Sequence, residues 1–238
     1  LTHAATLDPV FGVFIGTSIP ADLAHIVAGI DVALDGEFLV TSHVTPEPAE
    51  IEGEKVVLWQ RIVGGGGTIT YNMLDSHVLV DPGAVAISPD GDHAFVASPS
   101  GTSITAYAID RVAGTLTELQ TVQNNVDGVR GLDGVSALEV SENLVYAIGA
   151  DDDSAVVFRR GDDGTIAFEQ RLLDQAAGVE GLQNGNSLAL TPDRQFLYIG
   201  STGEGASAGG IAWFRVDEDA APVKTIVEHH DVISLDVA

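Results

Sequence analysis

Short apolar runs with alternating polar positions recur along this chain in a repeat of about 50 residues. Each repeat opens with an apolar run that ends in an acidic turn, and we align the repeats on the turn acids Asp35, Asp90, Glu142 and Asp193. A second apolar run follows each turn, and a third run ends on an aromatic residue, Trp59, Tyr107, Phe158 or Phe214. In three repeats a Gly-Thr turn then leads into a fourth run. The pattern predicts four short strands in every repeat.

Four strands per repeat, punctuated by glycine, proline and aspartate, are typical of a β-propeller blade. No long stretch of the chain has the 3.6-residue periodicity of an amphipathic helix, which argues against an α/β solenoid. The turn Ser88-Pro-Asp-Gly91 fits a tight hairpin, because proline fixes φ, aspartate accepts hydrogen bonds from the following backbone and glycine adopts positive φ. The sequence therefore predicts an all-β fold, a β-propeller of four-stranded blades, with a pair of β-sandwiches as the alternative.

Both ends of the sequence resemble parts of one further blade. Residues 232–237 match an innermost strand, and residues 7–17 match the turn and second strand that would follow it. Pairing them would hide two sheet edges and close a ring of five blades. The expected organisation is a single domain over residues 1–238, with repeats at about 30–84, 85–136, 137–187 and 188–231 and a shared blade from residues 1–29 and 232–238. The alternative is a part of a seven-bladed propeller.

Acidic residues outnumber basic residues by 35 to 10, which gives a formal net charge of −25. This charge repels phosphates, so the sequence excludes a protein that binds nucleic acid through bulk charge. Self-repulsion of this kind is screened by salt, which favours an extracellular or cell-surface location in saline surroundings. No apolar run reaches the length of about 18 residues that a membrane span requires. The chain has no cysteine, so a disulfide scaffold is also excluded.

Two glycine-rich segments, Gly128-Val-Arg-Gly-Leu-Asp-Gly134 and Gly178-Val-Glu-Gly-Leu-Gln-Asn-Gly185, resemble the interblade signature of lactonase-type β-propellers. With Ile87-Ser-Pro-Asp-Gly91 and Phe158-Arg-Arg-Gly-Asp-Asp-Gly-Thr165, the resemblance covers residues from about 80 to 215. It implies a likeness to bacterial 6-phosphogluconolactonases and carboxymuconate cyclases, which typically have seven blades. The chain lacks the His-Pro turn and Asn-Glu pair of the enzymatic branch, so the resemblance assigns no catalytic residue.

Loops from the outer strand of one blade to the inner strand of the next share a propeller face with the loops between second and third strands. That face commonly binds ligands, and its candidate residues here are Asp127, Arg130, Asp133, Asp174 and Glu180. Arg130 could hold a carboxylate or phosphate through two parallel hydrogen bonds. The alternative is a surface ion pair between Arg130 and a neighbouring acid, Asp127 or Asp133.

Three consecutive aspartates, Asp151, Asp152 and Asp153, form the candidate metal site of the same face. Calcium is bound by about six to eight oxygen ligands, and carboxylates supply them. The spacing differs from that of an EF-hand loop, and adjacent acids in a hairpin loop are also typical of solvated turns. Calcium is the one cofactor that the sequence suggests.

These observations leave two hypotheses for the function. The first is a non-catalytic, acidic, extracellular propeller that serves as a structural or interaction module and binds other protein subunits or a surface polymer. The second is a lactone hydrolase or related ring-opening enzyme, with Asp133 and Glu180 as base or metal-holding residues. The second rests on the family resemblance, since a fold does not determine a function.

Overall fold

A computed structural model describes residues 26–44, 53–203 and 209–216, and these ranges contain β-strands and a short 3-10 turn at Gly65–Gly67. The alternating runs form strands because residues i and i+2 lie on the same face of a sheet. The strands are β1 (Ile26–Val32), β2 (Phe38–Val44), β3 (Lys55–Val63), β4 (Ile69–Val78), β5 (Val85–Ile87), β6 (His93–Ser98), β7 (Ser103–Asp110), β8 (Thr115–Gln123), β9 (Val135–Val140), β10 (Leu144–Gly149), β11 (Ser154–Arg160), β12 (Ile166–Leu173), β13 (Gly185–Leu190), β14 (Phe196–Ser201) and β15 (Gly210–Arg215).

Neighbouring strands pair in chain order and are antiparallel. Strands β1 to β4, β5 to β8 and β9 to β12 form three four-stranded sheets, and β13 to β15 form a fourth sheet of three described strands. We number these sheets blades 1 to 4. The predicted all-β propeller of four-stranded blades is therefore confirmed. The predicted closing blade, residues 1–29 and 232–238, lies outside the described residues apart from the first four residues of β1.

Successive blades pack face to face through apolar cores. One core joins blades 1 and 2, a second joins blades 2 and 3, and a third joins blades 3 and 4. Tyr107, Phe158 and Phe214, which end the third runs of the repeats, are buried in these three cores. Burial of each such side chain stabilises the fold by about 1.5–3 kcal/mol. The aromatic position thus links each blade to the one before it.

The first strand of each blade is its inner strand. Strands β1, β5, β9 and β13 contact one another in sequence, while the other strands of each blade lie progressively further from this centre. Together the four inner strands form the inner side of the arc of described blades, and we call the space that they border the central channel. Residues within these strands therefore control what the channel presents to a ligand.

The turn after the inner strand is shorter in blade 3 than in blades 2 and 4. In blades 2 and 4 a turn hydroxyl, on Ser88 or Thr191, accepts the N–H of the residue five positions later at 3.0 and 3.1 Å. In blade 3 the hydroxyl of Ser141 accepts the N–H of Leu144, only three positions later, at 3.1 Å. Alignment on the turn acids is therefore wrong by one residue in the inner strand of blade 3.

The corrected register places one residue from each inner strand at the same level of the channel. These residues are Asp31 in blade 1, Ala86 in blade 2, Glu139 in blade 3 and Ala189 in blade 4. Two carboxylates thus alternate with two alanines around the centre. Alignment on the turn acids hides this arrangement because it places Glu139 beside Ile87.

An arginine from the next blade binds the turn acid of each of the first three blades. Arg111 donates to Asp35, Arg160 donates to Asp90 at 2.7 Å, and Arg194 lies 2.7 Å from Glu142. The Arg160 side chain is only 8% exposed. It also donates to Nδ1 of His93 at 3.0 Å and to the carbonyl oxygen of Glu142 at 2.9 Å, so it links blades 2 and 3.

The ionisation states around Arg160 suit this link. Burial raises the pKa of Asp90, but hydrogen bonds from Ser88, the Asp92 backbone and Arg160 outweigh it and hold that pKa at about 2. Burial and the charge of Arg160 lower the pKa of His93. At neutral pH Asp90 is therefore ionised, and the unprotonated Nδ1 of His93 accepts the hydrogen bond from Arg160.

We expect Arg160→Gln to lower the free energy of unfolding by about 2 kcal/mol, because a hydrogen bond to a charged group contributes about 1.5–3 kcal/mol. Denaturant unfolding at neutral pH measures the change. The matched control is Arg130→Gln, which removes an arginine from an exposed loop position and should change stability by less than about 0.5 kcal/mol. Equal losses in the two variants would contradict a specific role for Arg160.

Candidate functional site

The central channel contains a cavity of about 610 Å³, within the range of about 300–1,000 Å³ typical of small-ligand sites. Its wall comes from the inner strands of all four blades and from the turns that follow them, including Pro89 and Pro192. Among the described residues that line it, three are charged: Asp31, Glu139 and Arg194. The remaining lining consists mainly of apolar side chains and backbone atoms.

Asp31 extends from blade 1 to the inner strand of blade 2. Its Oδ2 accepts the backbone N–H of Ile87 at 2.7 Å, and its Oδ1 accepts the N–H of Val32 at 2.8 Å. Strand β5 pairs with β6 along one edge, and its second edge borders the channel. The N–H of Ile87 on that second edge has no partner among the described strands, and the carboxylate of Asp31 accepts its hydrogen bond instead. Burial raises the pKa of Asp31, and the two backbone hydrogen bonds oppose that effect.

Glu139 is the second channel carboxylate and the more strongly perturbed. Burial, with a contribution from the charge of Asp31, raises the pKa of Glu139 to about 7. The cause is ordinary electrostatics, since a half-buried carboxylate that faces a like charge is less stable in its ionised form. A carboxyl group that titrates near neutral pH can both accept and return a proton, which is the requirement for general acid–base chemistry.

Arg194 carries the third charge. It lies in the turn that follows β13, at the end of the channel formed by such turns, which we call the turn end. Its Nη1 lies 2.7 Å from Oε1 of Glu142 in blade 3. The cavity therefore has two carboxylates on its wall and an arginine at its end that is already paired with an acid. This arrangement can bind a small polar ligand and exchange a proton with it.

The ligand-face candidates predicted from the sequence lie at the opposite end of the inner strands. Asp127, Arg130, Asp133 and Glu180 have exposed side chains in the loops that precede β9 and β13. Asp174 is half-buried, and its Oδ1 accepts the N–H of Leu182 at 3.0 Å within its own loop. None of these five residues lines the cavity of the described structure. Their ligand-binding role stays a prediction.

The three candidate calcium ligands point to different partners. Asp152 Oδ2 accepts the N–H of Asp133 at 2.9 Å, and Asp153 Oδ1 accepts the N–H of Asn184 at 2.9 Å. Asp151 is exposed beside Gly134. Across the described ranges, no three His, Asp or Glu side chains are grouped as metal ligands would be. Calcium binding stays a prediction, and the observed contacts of Asp152 and Asp153 brace the loops before β9 and β13.

Asp31 and Glu139 are the channel residues that the sequence analysis missed. Each is the single charged residue of a mostly apolar inner strand, and that exception is the signal that could have identified them. Arg194 has a different signal, because it occupies the turn position that is glycine in blades 1 and 2, at Gly36 and Gly91. Each of the three residues departs from the repeat at a position that faces the channel.

The family comparison agrees with the repeat pattern and the blade architecture. The family model described as lactonase, seven-bladed β-propeller, matches residues 26–173, more than half of the chain. The chain belongs to the lactonase family of β-propellers. The predicted family resemblance is therefore confirmed, and Asp31 and Glu139 both lie within the matched residues. No curated protein has a significantly similar sequence.

Solved structures share the fold of this lactonase-family chain at low sequence identity. A protein from Lactobacillus plantarum superposes with a TM-score of 0.66 at 17% identity, over 90% of this chain and 57% of that one. The periplasmic gluconolactonase of Pseudomonas aeruginosa gives a TM-score of 0.62 at 18% identity, over 85% and 53%. A candidate 6-phosphogluconolactonase from Bacteroides uniformis gives 0.62 at 15%, over 85% and 55%. The lactonase-family chain thus spans a little over half the length of these proteins.

The described part of this lactonase-family chain contains no helix with the length and apolar character of a membrane span.

Proposed function

We propose that this protein hydrolyses a lactone in its central channel, with Glu139 as the general base. The observation that carries the proposal is the placement of Glu139 and Asp31 at one level of a ligand-sized cavity. Membership of the lactonase family supports it, as do structural neighbours named as a gluconolactonase and a candidate 6-phosphogluconolactonase. These findings favour the second hypothesis from the sequence over the non-catalytic module.

The chemistry requires one proton to be taken up and returned. Ionised Glu139 accepts a proton from a water molecule while the water oxygen forms a bond to the lactone carbonyl carbon. The ring C–O bond then breaks, and protonated Glu139 returns the proton to the departing ring oxygen. The products are an open-chain hydroxy acid and a regenerated carboxylate. Such proton transfer contributes about 10²–10⁴ to the rate when the group titrates near the working pH.

Asp31 acts as a positioning residue in this proposal. Its hydrogen bond to the N–H of Ile87 fixes its carboxylate on the wall, where its charge adds to the effect of burial in raising the pKa of Glu139. Arg194, the third charged residue that lines the described cavity, is paired with Glu142. Asp31 is the charged group that contributes to the raised pKa of Glu139.

Lactone hydrolysis measured against pH tests the proposal. Above the spontaneous rate, kcat/KM for gluconolactone should rise through an apparent pKa of about 7 as Glu139 ionises. In Asp31→Asn the like charge is removed while the acceptor for the N–H of Ile87 is kept, so the midpoint should move to lower pH. Burial is the larger cause and persists, so the midpoint should stay above that of an ordinary glutamate. No rate above the spontaneous one, or an unchanged midpoint in Asp31→Asn, would contradict the proposal.

The surroundings of the enzyme belong to the same proposal. The acidic composition favours an extracellular or cell-surface location in saline conditions, and protein subunits or a surface polymer stay predicted partners. The ring itself would be completed either by the fifth blade that the sequence suggests or by further blades, as in a seven-bladed propeller. In each arrangement β1 to β15 contribute the same wall of the channel.

A further inference from the structure

The turn end of the channel carries a basic residue on an unfavourable backbone. Arg194 has a φ of +56°, in the left-handed region that glycine adopts without strain. The equivalent positions of blades 1 and 2 are Gly36 and Gly91, with φ of +68° and +76°. A non-glycine residue in such a conformation is strained, and such residues cluster at functional sites. The fold thus tolerates strain at the place where an arginine reaches the cavity.

Glu142 forms an ion pair with this arginine. Arg194 is the one basic residue that lines the cavity in the described part of the chain, and its guanidinium lies 2.7 Å from Glu142 Oε1. Glu142 itself belongs to the shortened turn of blade 3 and is 66% exposed. That turn is two residues shorter than those of blades 2 and 4.

The resulting charge distribution disfavours an anionic ligand. Phosphate groups are commonly recognised by an arginine or lysine with free donors, often an arginine that offers two parallel hydrogen bonds. Here Nη1 of Arg194 is paired with a carboxylate, and Asp31 and Glu139 add negative charge to the wall. The surrounding protein, with a net charge of −25, repels a dianion further.

We infer that the channel selects an uncharged ring lactone over the same lactone bearing a phosphate, and that Glu142 determines this specificity by neutralising the charge of Arg194 in an ion pair. The inference rests on the proposed function for its reaction. It concerns the substrate class, because specificity is a difference between two affinities. Negative charge on the channel wall lowers the affinity for the phosphorylated lactone and not that for the uncharged one.

Paired measurements with gluconolactone and 6-phosphogluconolactone test the inference. The wild-type protein should have the higher kcat/KM for the uncharged lactone. In Glu142→Gln, Arg194 loses its counter-ion, and the ratio of kcat/KM for the phosphorylated to the uncharged lactone should rise about fivefold, the effect of one partly exposed ion pair. Glu118→Gln removes the same charge from the exposed outer strand β8 of blade 2 and should leave the ratio unchanged.

A binding measurement separates this inference from the proposed reaction. Calorimetry with the lactam analogue of gluconolactone, and with its 6-phosphate, reports the preference without any hydrolysis. Tighter binding of the uncharged lactam, reversed or narrowed by Glu142→Gln, supports the inference even if no lactone is hydrolysed, and the proposed reaction alone would then fail. Tighter binding of the phosphate by the wild type, equal shifts in the two variants, or binding of neither analogue would overturn it.

Discussion

Glu139→Gln should lower kcat/KM for lactone hydrolysis by about 10²–10⁴, the usual contribution of a positioned general base. Glutamine keeps the size and most of the polarity of the side chain but cannot accept the proton from water. The matched control is Glu118→Gln, which makes the same chemical change on the exposed outer strand β8. Initial rates for gluconolactone at pH 8, corrected for spontaneous hydrolysis, measure the loss. Equal activity in the two variants would remove Glu139 from the mechanism.

The same substitution should stabilise the protein at pH 8. The pKa of Glu139 is raised in the folded state, so the folded protein binds more protons than the unfolded chain between the ordinary glutamate range and about pH 7. Stability therefore falls as pH rises through that window, and the neutral amide of Glu139→Gln removes the fall. Thermal unfolding of both proteins at pH 5 and pH 8 measures it. A variant that loses activity and gains stability at pH 8 is the expected signature of an acid held for function.

Gly149→Ala should destabilise the fold by about 3 kcal/mol, and lower the melting temperature by roughly 10 °C. Gly149 ends β10, and a methyl group on its Cα would clash with the backbone carbonyl oxygen of Gly131. That oxygen also accepts the hydroxyl of Ser154 at 2.9 Å and belongs to the loop that enters β9. Backbone cannot move aside as a flexible side chain can, so the loop must shift.

Gly65→Ala is the control for the loss of a glycine. Position 65 is exposed in the 3-10 turn of blade 1, has no atom within 4 Å of the added methyl, and does not have positive φ. Its unfolding free energy should change by less than about 0.5 kcal/mol. Equal effects at positions 149 and 65 in denaturant unfolding would contradict the close approach of β10 and the preceding loop.

The blade architecture could be predicted because its signals are local. Alternation fixes which residues face the neighbouring blade, and the turn after β5 acts as expected, since Asp90 Oδ1 accepts the N–H of Asp92 and Gly91 has a φ of +76°. The prediction failed in the register of blade 3, where the turn is shortened. The shortened turn of blade 3 still contains an acid, Glu142, so the local sequence pattern does not reveal that the turn is shorter.

The channel site could not be predicted because it depends on long-range order. Asp31 and Glu139 are more than 100 residues apart in the sequence and meet only when inner strands from two blades lie at one level. The sequence prediction placed the site among the acids of the opposite loops because acidic residues are numerous there. In the structure Asp152, Asp153 and Asp174 accept backbone N–H groups of those loops, a role that composition alone does not separate from ligand binding.

A crystal structure with the non-hydrolysable lactam analogue of gluconolactone tests the central claim most directly, since it shows where a ligand binds. The account predicts density for the lactam in the cavity between the inner strands, with its carbonyl carbon within reach of a water held by Glu139. Density among Asp127, Arg130 and Asp133 at the other end of the channel, with the cavity beside Glu139 empty, would contradict it.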